Sequence, residues 1–199
     1  MNYFVFALAA DDIGDVAQID DHPEDLPFKS YHFHKGKPLL EKIELPLKYQ
    51  FSDDKPEGRK LVDLQYNTLG LFIVSEKLAA ILEGEADIEF IPVEIYDHRG
   101  KLASKNYFIA NFLNVCDVVD EDKSKYVVDP FDEEEYDWIK KLVFDQSKLD
   151  ESINVFRLKQ SLRTVILTEP LVNKMKQENI QGPLFVPIEK FDSAYYMGV

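Results

Sequence analysis

Apolar and polar positions divide this chain into many short extended runs and two brief stretches of helical spacing. Tyr3-Phe4-Val5-Phe6-Ala7-Leu8-Ala9-Ala10 is apolar throughout and predicts a buried first strand. An acidic, proline-containing loop follows through Pro27. From Lys35 to Gly58, Pro38, Pro46 and Pro56 separate short apolar pieces. Proline cannot donate to a ladder, so irregular structure with brief edge strands is expected there. Leu61-Val62-Asp63-Leu64-Gln65 predicts another short strand.

The most informative pattern occurs twice. Leu71-Phe72-Ile73-Val74-Ser75-Glu76-Lys77-Leu78 corresponds to Thr164-Val165-Ile166-Leu167-Thr168-Glu169-Pro170-Leu171, and Phe90-Ile91-Pro92-Val93-Glu94 to Phe185-Val186-Pro187-Ile188-Glu189. Each copy reads as an apolar strand ending at Ser75 or Thr168, whose hydroxyl can accept from the free N–H groups of a helix start. Glu76 and Glu169 favour the positive end of the helix dipole, and Pro170 fits a first turn that needs no N–H from it. Leu78, Ile81 and Leu82 form one apolar helix face; Leu171, Val172 and Met175 form the other. A strand carrying Phe-x-Pro returns in each copy.

Between the copies, Ile88–Tyr96 and Asn106–Val115 flank Asp97-His98-Arg99-Gly100-Lys101, an antiparallel hairpin. In residues 132–145, Tyr136, Ile139, Leu142 and Val143 fit a helix face, whereas Leu142-Val143-Phe144 also suits a strand; the reading adopted is a helix giving way to a strand. Val155-Phe156-Arg157-Leu158 predicts one more strand. The fold class is therefore α+β, a mixed or antiparallel sheet with two strand–helix–strand units around 69–95 and 162–190. Residues 1–199 read as one domain: an N-terminal strand and irregular region over 1–66, the repeat-bearing region 67–191, and a tail 192–199.

Composition narrows the function classes. The single cysteine, Cys116, excludes an intrachain disulfide and a thiolate zinc cluster. It ends an apolar run before Asp117 and reads as a core residue whose acidic setting raises the thiol pKa. No Lys or Arg precedes Lys29, and Asp11-Asp12 follows the first apolar run, so an A-x-A triplet there does not make a signal peptide; a cytoplasmic location is expected. No apolar run approaches the roughly 20 residues that span a bilayer.

The net charge of −14 is concentrated in two segments. Residues 1–28 hold seven acids and no Lys or Arg, and residues 117–137 hold ten acids against Lys123 and Lys125. Such segments repel nucleic acid and anionic membrane, and they either steer a basic partner or serve as solvated loops. The scattered cations of Arg157-Leu158-Lys159-Gln160-Ser161-Leu162-Arg163 lack an aromatic platform and read as the exposed face of a strand or turn.

Catalytic motifs are lacking: no G-x-S-x-G, no phosphate-cradling glycine loop, no H-E-x-x-H. His32-x-His34 could place two imidazoles on one face of a strand, but a third ligand is not set by the sequence, and an exposed edge strand is the better reading. Asp117-x-x-Asp120-Glu121-Asp122 lacks the alternation and central glycine of a calcium loop and reads as a solvated turn. No metal and no cofactor are expected.

Over about residues 69–191 the chain resembles a family of bacterial immunity proteins from polymorphic toxin systems, first catalogued as a domain of unknown function and later as immunity class eleven. The resemblance rests on Ile73-Val74-Ser75-Glu76-Lys77-Leu78, Phe90-Ile91-Pro92-Val93, Asp120-x-x-x-Ser124, Leu142-Val143-Phe144-Asp145, Val155-Phe156-Arg157-Leu158 and Gly182-Pro183-Leu184-Phe185-Val186-Pro187. It implies direct binding of a cognate toxin inside the producing cell. An acidic protein without catalytic motifs suits a basic toxin, with Asp120, Glu121, Asp122, Asp132, Glu133, Glu134 and Glu135 as the steering acids and Asp11–Asp25 second. Hot spots favour Trp and Tyr, which points to Trp138 and Tyr136 as anchors, with Tyr195-Tyr196 in the tail; a core position is the other reading of Trp138. Two further readings stay open: an enzyme using carboxylates of segment 117–137, and a structural or assembly subunit. The oligomeric state is not read from the sequence.

Overall fold

The computed structural model describes residues 1–9, 14–150 and 152–196. In chain order the elements are β1 (Tyr3–Leu8), β2 (Leu47–Gln50), β3 (Leu64–Gln65), β4 (Ile73–Ser75), α1 (Glu76–Leu82), β5 (Ile88–Tyr96), β6 (Leu102–Phe112) and β7 (Val115–Cys116). They continue with β8 (Lys125–Val128), β9 (Tyr136–Lys141), β10 (Val155–Leu158), β11 (Ser161–Thr168), α2 (Glu169–Gln177), β12 (Pro183–Pro187) and α3 (Ser193–Tyr196). One five-stranded sheet has the order β12-β1-β11-β10-β7 and another the order β2-β5-β6-β4-β3, while β8 and β9 form a separate ribbon. The β2–β5 and β10–β7 pairs are parallel and the others antiparallel, so the fold is α+β with mixed sheets.

Both large sheets are covered on both faces, and that explains their near-continuous apolar strands. Phe6 of β1, Val165 and Leu167 of β11, Val74 of β4, and Ala110 and Phe112 of β6 meet the buried sides of α1 and α2 in one shared core. Phe6 stacks on Phe72 at 5.1 Å, and Phe72 meets Phe112 edge-on at 5.2 Å. The alternate residues face outward into two further clusters. Ile73, Ile91, Val93 and Ile109 pack under an N-terminal cover that contributes Ala17, Ile19, Phe33 and Leu39. Tyr3, Val5, Phe156 and Ile166 pack under Val118, Val119, Ile139 and Phe144.

α1 and α2 begin where the sequence places them, but their caps differ. Ser75 Oγ accepts from the Leu78 N–H at 3.2 Å and donates to Asp63 at 2.7 Å. The expected Thr168 cap is not made: its hydroxyl is buried and donates to Asn154 Oδ1 at 2.8 Å. Pro170 in the first turn of α2 already removes one N–H in need of a partner. The strands around each helix are not neighbours. β6 lies between β4 and β5, and β1 lies between β11 and β12.

Three expectations are corrected. The helix expected within 132–145 is strand β9, paired antiparallel with β8. An isolated helix of that length is marginal, whereas the ribbon supplies backbone partners and buries Ile139. His32 and His34 lie in a 3-10 turn, Ser30–His34, not on an edge strand. The turn inserts Phe33 into the N-terminal cover, and at three residues per turn it points the two imidazoles apart. Arg157, expected on an exposed face, is 2% exposed. Its Nε donates to Phe112 O at 2.9 Å, Nη1 to Leu162 O at 2.6 Å and Nη2 to Phe33 O at 3.3 Å. Three carbonyls thus replace water, and burial lowers the guanidinium pKa to about 10, leaving it cationic at neutral pH. Cys116 is half-buried, and its thiol is pushed up by burial and then by Asp150.

Candidate functional site

The two acidic clusters around residue 120 and residue 133 flank the β8–β9 ribbon. One edge of the ribbon is tied to the body: the Tyr136 N–H donates to Gln160 O at 2.6 Å and the Ile139 N–H to Ser193 Oγ at 3.0 Å. Asp120, Glu121 and Asp122 occupy the turn before β8, and the Ser124 N–H donates to Asp120 O at 2.9 Å. Asp120 is ion-paired to Lys123 at 2.6 Å, and that hydrogen bond holds its carboxyl below the usual range. Glu121 reaches across the ribbon and accepts from the Tyr136 hydroxyl at 3.2 Å. Tyr136 stacks on Tyr126 with centroids 3.9 Å apart, and burial, then the Glu121 carboxylate, raises its phenol pKa. The fold therefore brings Glu121 and Tyr136 together from separate segments.

The loop joining β8 to β9 holds Asp132, Glu133, Glu134 and Glu135. Asp129 organises it: its carboxylate accepts from the Phe131 N–H at 2.7 Å and the Asp132 N–H at 3.2 Å, and its own N–H donates to Glu135 O at 2.9 Å. Asp132 accepts from the Glu134 N–H at 3.0 Å. Asp132, Glu133 and Glu134 stand exposed, and among the described residues none is ion-paired. Glu135 differs, because it is bound to Lys35 at 2.7 Å and so ties the loop to the N-terminal cover.

Beside this loop lies a cleft of about 510 Å³, whose walls include Tyr31, His34 and Lys35 of the cover, Asp129, Glu135 and Asp137 of the ribbon, and Arg163 of β11. His34 has its pKa lowered to about 4 by burial first and by Arg163, Arg157 and His22 after it. Trp138 is half-buried on β9, and its indole N–H is engaged with Asp192 at 2.8 Å. It is thus occupied within the molecule rather than placed at the loop tip. In the second acidic segment Asp20 accepts from Gln18 and Thr68, both at 2.9 Å, while Asp11 and Asp12 lie outside the described residues.

Phe131 escaped the sequence reading. It is 96% exposed at the loop tip, with Val127 at 47% and Val128 at 40% preceding it on β8. The signal was there: one aromatic set between Pro130 and four consecutive acids, 132–135, has no run of apolar neighbours to place it in a core strand.

The chain matches the model of the Immunity protein family (Imm11) over residues 8–190. It belongs to that family. No curated protein gives a significant match. The matched span contains the whole ribbon, its acidic loop and most of the cleft, and it stops just before Asp192 and Ser193, which brace β9 from the tail. Among the described residues no group of three or more His, Cys, Asp or Glu is placed to hold a metal, and no helix is long and apolar enough to cross a membrane.

Proposed function

We propose that this protein neutralises a cognate toxin domain of basic character by binding it directly in the cytoplasm, with the acidic loop between β8 and β9 as the leading surface. Family membership supplies the class of function. The observation that carries the finer reading is that Asp132, Glu133 and Glu134 are exposed without an ion pair on a loop whose backbone is held in place by Asp129. Uncompensated charge of one sign raises the encounter rate with an oppositely charged partner, from about 10⁵–10⁶ towards 10⁸–10⁹ M⁻¹s⁻¹ at low salt. Asp120 and Glu135 contribute less, because Lys123 and Lys35 neutralise them locally. The carboxylates of 117–137 are distributed around a ribbon, with Asp117, Asp120, Glu121 and Glu135 each bound to a different side chain and Asp132, Glu133 and Glu134 left exposed, an arrangement that favours a binding face over paired-carboxylate catalysis.

Stopped-flow association with the silenced toxin domain encoded beside the immunity gene tests this. The triple variant Asp132→Asn, Glu133→Gln, Glu134→Gln should slow association about tenfold or more at low ionic strength and change dissociation little. Glu135 stays intact in that variant so that its tie to Lys35 is not disturbed. An unchanged on-rate and salt slope would remove the steering role, and failure of the wild type to bind or protect would remove the immunity reading for this chain.

A further inference from the structure

Three exposed apolar residues lie on the same ribbon and its loop. Val127, Val128 and Phe131 are 47%, 40% and 96% exposed. Scattered apolar residues are ordinary on a protein surface, but these three fall within five positions of one strand and its loop, and the aromatic one is almost as open as in an extended chain. β8 has β9 as its only strand neighbour, and among the described residues its outer edge makes no backbone hydrogen bond. The loop that presents Phe131 is preorganised. Pro130 restricts the backbone before it, and Asp129 accepts from the N–H groups of Phe131 and Asp132. An aromatic side chain with two rotatable bonds on a braced loop loses little entropy when it is captured.

We propose that Phe131 is the apolar anchor that enters a pocket on the toxin domain, and that the pocket is rimmed by Lys or Arg. This rests on the immunity reading above. The occupant is argued from charge: Asp129 and Asp132 lie on either side of the anchor, Glu133 and Glu134 follow at once, and no Lys or Arg occurs between Lys125 and Lys140. Another copy of this chain would bring the same acids face to face. A cationic rim would neutralise them while the ring is desolvated at the centre, the arrangement of a buried hot spot within a polar rim.

Phe131 touches little of its own protein, so Phe131→Ala should leave unfolding by urea unchanged, which separates binding from folding. Binding to the silenced toxin domain should weaken roughly 10- to 100-fold, chiefly through faster dissociation, and Phe131→Leu should recover most of the affinity. Wild-type affinity in Phe131→Ala, with the wild type binding normally, overturns the anchor and leaves the immunity reading standing. A wild type that neither binds nor protects overturns both. A wild-type dimer in sedimentation that becomes monomeric in Phe131→Ala assigns the ring to a second copy of this chain and likewise overturns the proposal.

Discussion

Replacing Arg157 with methionine removes one side chain and releases three segments. Its guanidinium holds carbonyls of Phe112 at the end of β6, Leu162 in β11 and Phe33 in the N-terminal cover. Hydrogen bonds from a charged donor contribute about 1.5–3 kcal/mol each, and a buried carbonyl left without a partner costs about 1–3 kcal/mol. Methionine fills much of the volume and removes the desolvation of a buried cation, which offsets part of that loss. The expected net destabilisation is about 2–4 kcal/mol. With a urea slope of roughly 1–3 kcal/mol/M, equilibrium unfolding should show a midpoint lowered by about 1 M or more. Arg157→Lys should not restore stability, since an ammonium cannot reach three divergent carbonyls as a planar fork does. Amide exchange should rise locally over residues 30–36, because the Phe33 bond links the cover to β10. A methionine variant as stable as the wild type would show that desolvation cancels the three bonds, and the stapling role would be wrong.

Three other variants test particular side chains. His34 has a folded pKa of about 4 against an ordinary 6.5, so between these values the unfolded chain takes up a proton that the folded chain refuses. Stability should therefore fall as pH drops from 6.5 towards 4, by at most about 3 kcal/mol, and His34→Gln should show a shallower fall in urea titrations at pH 7, 5.5 and 4.5; parallel curves would discount His34. Ser75→Ala should cost about 1–2 kcal/mol because it removes both the cap to Leu78 and the bond to Asp63. Thr168→Ser keeps the hydroxyl that Asn154 accepts and should lose less; equal losses in chemical denaturation would mean that the two positions do the same work.

Several local readings agree with the structure. The apolar run read as a strand over 3–10 holds a non-edge strand at Tyr3–Leu8, the turn at Asp97–Lys101 joined a hairpin, and Glu76 and Glu169 opened the two helices. Each depends on spacing and turn chemistry within a few residues. The acidity of 117–137 was likewise visible, as were the residues that carry it.

The errors lie where a residue's state depends on a distant partner. Residues 136–141 are extended because Lys125–Val128 lies alongside, a pairing that helical spacing within 132–145 does not report. Thr168 gives its hydroxyl to Asn154, just before β10, and Ser75 keeps its own for the helix. Arg157 is buried because chain 45 residues before it and 124 residues before it delivers two of its carbonyls. Other states are set at a distance too: the Trp138 indole is engaged by Asp192, and Phe131, which the sequence reading missed, is 96% exposed at the loop tip. The sequence by itself determined the extended and helical segments and the sign of the charge, since both are set by neighbouring residues. Tertiary structure decided which polar groups found partners and which apolar one did not, because burial is a property of how segments meet in space.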